Sequence, residues 1–148
     1  MPSRSPDSGT GTNYVRQLPV QHGHFVQGAQ LLQPGLFQMS PAETKATDPH
    51  HRLLLQAVHV ASVQAGHNRE RLLGSSVGMF LGFCSDSGWG AVQQGSQVTV
   101  YSAHGSGSSA AAGRVSYLFG LKGPCLSVNT ACSSSLVALD AGLANLRL

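Results

Sequence analysis

The run Leu126-Ser127-Val128-Asn129-Thr130-Ala131-Cys132-Ser133-Ser134-Ser135-Leu136-Val137-Ala138-Leu139 constrains this chain more than any other feature. It opens as an apolar, strand-like stretch. It continues with Leu136, Leu139, Leu143 and Leu146 at helical spacing, one apolar stripe. A strand that runs straight into a helix belongs to an α/β layout. The junction puts Cys132 at a helix N-terminus, where unpaired N–H groups and the helix dipole favour the thiolate. Two readings stay open on this ground alone. Cys132 is a nucleophile for acyl groups, or it is a small core residue of a type that is often buried.

The rest of the chain supports the same layout. Residues 1–24 are rich in Ser, Gly, Thr, Pro and Gln without periodicity and read as a disordered lead-in. His22 and His24 form an HxH pair that no further ligand spacing completes into a metal site. Ser40-Pro41-Ala42-Glu43 predicts a helix start, with Ser40 as cap, Pro41 at the first position and Glu43 closing a capping box. Asp48-Pro49 repeats the device for a helix to about Ala65, ended by Gly66, whose core face would be Leu54, Val58, Ala61 and Ala65. Residues 77–83 predict a strand buried on both faces. Residues 84–105 read as a long loop holding Trp89. An Ala-rich helix over 106–117, a turn at 120–124, a strand over 125–130 and a helix over 133–147 complete the order.

Composition narrows the function classes. The charged share is 10%, well below the roughly 25% of ordinary globular chains. Much of the surface is therefore expected to be covered by a partner or by further segments. The net charge of +3 comes from scattered Lys and Arg without interleaved aromatics, which gives nucleic-acid binding no support. Cys84, Cys125 and Cys132 lack CxxC spacing, and the N-terminus lacks an apolar signal core. No apolar run reaches the roughly 18 residues of a membrane span. The expectation is a soluble, cytoplasmic protein with reduced thiols, organelle targeting left open.

A thiol that works on a thioester must be exposed, partly ionised and close to N–H donors for the developing oxyanion. A strand-to-helix turn supplies all three, by the logic of the serine elbow of hydrolases. Small residues at 131 and 133–135 leave room for a substrate arm. Cys84 and Cys125 lack this context and read as small buried residues.

Residues 129–138 resemble the active-site motif of β-ketoacyl synthases, in the form found in ketosynthase domains of modular polyketide synthases and type I fatty acid synthases. Phe37-Gln38-Met39-Ser40-Pro41 is similar to their FFGISP segment, and residues 48–54 to DPQQRLLL. Residues 77–82 are similar to TGVFVG, residues 112–117 to AGRISY, and residues 120–124 to GLxGP. The resemblance runs in order over residues 25–148, which implies an incomplete N-terminal part of a ketosynthase domain. The implied fold is a partial thiolase-like α/β/α/β/α arrangement.

By the same resemblance, Cys132 takes the acyl chain as a thioester, for decarboxylative condensation with a malonyl-type extender in polyketide or fatty acid biosynthesis. The implied partners are an acyl carrier protein and a second copy of the ketosynthase. No cofactor is bound directly; substrates ride on the carrier's phosphopantetheine arm. No metal is implied.

Three departures stand out. Asn129 replaces the family's usual Asp, which is expected to alter local hydrogen bonding without removing the nucleophile. His50 and His51 stand in for the family's Gln-rich pair, and His104 sits where Thr is common; none matches a catalytic position. The family's two catalytic histidines and its lysine lie beyond position 148, and its opening strand lies upstream. Without them the 148 residues are expected to be inactive in condensation. The alternative expectation is a truncated homologue acting as a non-catalytic partner of a full synthase. A small cysteine hydrolase is a third reading, with no His or Asp context for a triad.

Overall fold

The computed structural model describes residues 22–24, 26–84, 89, 100–101 and 105–147. Most of the expected lead-in, most of the long loop, and His104 lie outside them. His22 and His24 are exposed.

Proline and short polar caps set the first helices. α1 spans Pro34–Phe37 and α2 Pro41–Ala46. The Ser40 hydroxyl accepts the Glu43 N–H at 3.1 Å, as the sequence predicts. The Glu43 carboxylate does not turn back to close the box; it pairs with Arg114 at 2.9 Å. α3 spans Pro49–Gln64, capped by Asp48, whose carboxylate accepts the His50 N–H at 2.7 Å. Gly66 follows with φ +75°, the left-handed ending that the sequence implied. A one-turn α4, Arg69–Leu72, is capped by Asn68.

The α3 core face differs from the expected one. The buried positions are His51, Arg52 and Leu55, while Leu54 and Val58 are half-buried and Ala61 is exposed. Ionisable residues at 51 and 52 hid this face from a hydrophobicity reading. Arg52 is satisfied inside by the carbonyls of Thr47 (2.9 Å), Gln30 (2.8 Å) and Lys45 (3.4 Å), and its guanidinium lies 5.4 Å from the centre of the Trp89 ring. Three bonds and a ring face offset the cost of burying the charge.

β1 (Met79–Gly82) and β2 (Cys125–Val128) pair in parallel, Met79 with Cys125 through Gly82 with Val128. Between them in sequence lies α5, Ala110–Phe119, closed by Gly120 at φ +67°. α6, Ser134–Leu146, follows β2. Alternate strand residues face opposite sides. Met79 joins the core beneath α5, and Ser127 accepts the Ala112 N–H of α5 at 3.2 Å. Phe80 and Gly82 instead meet α6, at Gly142 and Ser134. The result is three layers, α5 over the strand pair over α6. The core gathers Phe37, Met39, Leu55, Leu72, Val115, Leu118 and Phe119, with Phe37 edge-on to Phe119 at 6.1 Å.

Two expectations are corrected here. The strand expected at 77–83 is β1, Met79–Gly82, and it is half-buried along its length while Val77 is exposed, because among the described residues β1 pairs only with β2. Cys84 and Cys125 are exposed. Cys125 opens β2, and Cys84 lies two residues past the end of β1.

Candidate active site

The site is the turn between β2 and α6. The Phe83 N–H reaches the Val128 carbonyl at 3.0 Å, the last ladder bond. Asn129 then accepts the Ala131 N–H on its Oδ1 at 3.0 Å, an Asx turn. Ala131 adopts φ +54°, a left-handed conformation that costs an L-residue about 1–2 kcal/mol. Hydroxyls hold it there. Ser134 Oγ donates to the Ala131 carbonyl at 2.7 Å and accepts the Thr130 N–H at 2.9 Å. Ser133 Oγ donates to the Thr130 carbonyl at 2.8 Å.

Residues Ala131–Ser133 form one 3-10 turn, and α6 begins at Ser134. Cys132 thus lies two residues before the α-helix and is exposed. The sequence placed it at the helix opening; the extra tight turn was not legible. Asn129, Thr130, Ser133 and Ser134 make the hydrogen bonds of the turn, and the Cys132 thiol makes none among the described residues. The Cys132 N–H also bonds no acceptor among them. A thiol and an unengaged N–H on one residue are the pair that an acyl carbonyl requires.

Gly82 makes this position possible. A Cβ there would lie 2.5 Å from the backbone of Ser134 and Ser135. Only a glycine lets the start of α6 rest on the end of β1. Gly82, Ser133 and Ser134 were missed as site residues; the one signal was the run of small residues around the cysteine.

Asn129 fills an acceptor role that a carboxylate oxygen would fill equally. An Asp at this position would add a charge and could keep the turn. His50 is exposed, 3.5 Å from the Asp48 carboxylate. His51 is 1% exposed, and neither ring nitrogen has a hydrogen-bond partner among the described residues. Both rings stand edge-on to Phe83, at 5.9 and 5.6 Å. Burial holds the His51 imidazole below its ordinary pKa; Arg114 pushes the same way, Asp48 opposes, and His50 adds a smaller push downward. Among the described residues no group of three or more His, Cys, Asp or Glu could hold a metal ion. No described helix is long and apolar enough to cross a membrane.

On the other side of β1, an apolar cleft of about 890 Å³ runs between the open strand edge and α6. Leu139, Leu143 and Leu146 line it with Phe80. Cys132 lies outside it.

A turn of this kind, on parallel strands between two helix layers, matches known proteins closely. The family described as Beta-ketoacyl synthase, N-terminal domain, matches residues 2–148. Mycoketide-CoA synthase of Mycobacterium tuberculosis is 43% identical over 125 residues, 84% of this chain and 3% of that protein. The phenolphthiocerol synthesis polyketide synthase type I Pks15/1 of Mycobacterium marinum is 44% identical over 142 residues, 96% of this chain and 6% of that protein.

Among solved structures, the ketosynthase from module 6 of the bacillaene synthase of Bacillus subtilis 168 superposes with a TM-score of 0.67 at 31% identity. It covers 79% of this chain and 19% of its own. The oxazolomycin ketosynthase domain OzmH KS7 of Streptomyces albus JA3453 gives 0.65 at 30%, covering 80% and 21%.

The chain belongs to the β-ketoacyl synthase family, a family of carbon–carbon bond-forming acyltransferases, and its fold is part of the thiolase-like α/β arrangement of ketosynthase domains. Its relatives are polyketide synthases, of which it spans a few per cent of the length.

Proposed function

We propose that this chain is the acyl-accepting part of a polyketide ketosynthase, residues 25–148 forming an incomplete N-terminal part of that domain, with Cys132 as the nucleophile. The observation that supports this is the strained turn at Ala131, which presents an exposed thiol beside an unengaged N–H. In the proposed step the Cys132 thiolate attacks the thioester carbonyl of an acyl group on a carrier protein's phosphopantetheine arm. The new C–S bond forms, the old one breaks, and the leaving thiolate takes up the proton that Cys132 lost. The Cys132 N–H holds the oxyanion in between.

Decarboxylation of a malonyl-type extender and C–C bond formation use histidines and a lysine that the family resemblance places beyond position 148. On this reading Cys132 accounts for acyl loading, and condensation belongs to those further residues. The same resemblance implies a homodimeric ketosynthase.

The test is loading of the chain with an acyl-pantetheine thioester, followed by mass spectrometry of its peptides. One acyl group on the Cys132 peptide is expected, lost in Cys132→Ala. Equal loading of Cys84 and Cys125, which are also exposed, would remove Cys132's special role.

A second reading draws on the cleft beside α6. Its open strand edge and exposed leucines suit a non-catalytic partner docked on a full synthase. Co-purification with a full-length ketosynthase would favour it, and a monodisperse monomer in its presence would count against it.

A further inference from the structure

His51 has a setting that acyl transfer does not explain. It is 1% exposed, on the inner face of α3, with both ring nitrogens lacking a hydrogen-bond partner among the described residues. Its ring stands edge-on to Phe83 at 5.6 Å. Phe83 directly follows Gly82, whose backbone carries the start of α6 and the nucleophile turn. The charged groups facing it come from three elements. Asp48 caps its own helix and favours a positive ring; His50 is its neighbour on that helix. Arg114 comes from α5 and disfavours a positive ring. Glu43 of α2 is taken up by Arg114 at 2.9 Å.

We propose that His51 is a proton-operated latch: its neutral ring joins α3 and α5 to the end of β1, and its protonation opens that joint. A buried imidazolium without an acceptor is costly, and the nearest guanidinium raises the cost. The charged ring is relieved only by reaching water, which requires α3 to part from Phe83 and Arg114.

The sign follows from linkage. The unfolded chain binds the proton with the ordinary imidazole pKa of about 6.5, and the latched chain binds it more weakly. The latch's stability is complete above about pH 6.5 and is lost as pH falls through the lowered pKa of the folded state. The consequence for the nucleophile turn rests on the reading of Cys132 as acyl acceptor; the latch itself does not.

Trp89 gives a readout independent of the thiol. It is the only tryptophan, its indole N–H donates to the Ala46 carbonyl at 3.2 Å, and its ring lies by Arg52. It therefore reports on the junction of α2 and α3.

The experiment titrates Trp89 emission and the thermal midpoint of the full chain from pH 7.5 to 5. Wild type should show an emission transition with its midpoint below 6.5 and a fall in thermal midpoint of about 3 °C or more. His51→Gln, neutral at every pH, should abolish both, and His50→Gln should keep both. A transition that survives in His51→Gln, or a flat wild-type response, would overturn the latch. If His51→Gln does not fold, NMR titration of the His51 ring in wild type decides. A midpoint clearly below 6.5 supports the latch, and one at or above 6.5 overturns it. Failure of acyl loading at Cys132 leaves these readouts unchanged, so the two proposals fail separately.

Discussion

The two helices that enclose the strand pair are both apolar, and they pack in opposite ways. α5 buries Ala111 and Ala112 and, beside them, the larger Val115, Leu118 and Phe119, which join the core with Phe37 of α1 and Leu55 of α3. α6 buries only Ser134 and Ala138 and leaves Leu136, Leu139, Leu143 and Leu146 exposed. It meets β1 through small residues, Gly82 against Ser134 and Gly142 against Phe80, where backbones come close. The core helix draws its stability from filled volume. α6 is placed by the absence of volume, and its Leu139, Leu143 and Leu146 line a cleft instead.

This contrast is open to attack by substitution. Phe119→Ala should cost about 3–5 kcal/mol, the ordinary penalty for emptying a packed aromatic site; chemical denaturation would measure it. On α6, Leu136→Ala, at 70% exposure, should stay within about 0.5 kcal/mol. A comparable loss at both positions would erase the distinction between the helices.

Gly82→Ala comes next in size. The added methyl meets the Ser134 backbone at 2.5 Å, so α6 must shift, at roughly 1–3 kcal/mol. Alkylation of Cys132 by iodoacetamide should change rate, while Cys125, at the far end of β2, should not. The smallest effect is expected from Asn129→Asp. A carboxylate oxygen can take the Ala131 N–H in the same way, so unfolding free energy should move by less than about 0.5 kcal/mol. Collapse of the turn in that variant would show that the amide does more than accept one bond.

The caps and breaks of the fold were legible because their chemistry is local. Ser40, Asp48, Gly66 and Gly120 do what their residue types imply. The strand–cysteine–helix run was legible for the same reason, down to the residue that carries the thiol. What escaped depends on distant partners. The burial of Arg52 and His51 follows only once Gln30, Trp89 and Phe83 are placed beside them. Glu43 read as a capping residue until Arg114, far along the chain, claimed it. The leucines of α6 read as core because periodicity records an apolar face without recording what lies against it. The 3-10 turn before α6 escaped for another reason. Its left-handed residue is an alanine, which gives no warning of positive φ.

The bonding of the turn around Cys132 has a consequence for how the chain acquires its shape. Every hydrogen bond that shapes the turn joins residues within 129–134. Pairing of Met79 with Cys125, in contrast, must close a loop across the middle of the chain. Contacts near in sequence form in microseconds or less, whereas distant strand pairings wait on the closure of long loops. The turn that presents Cys132 is thus a fast-forming piece, written in six consecutive residues. The slower sheet has only to accept it, and the bare backbone of Gly82 is the seat into which it settles.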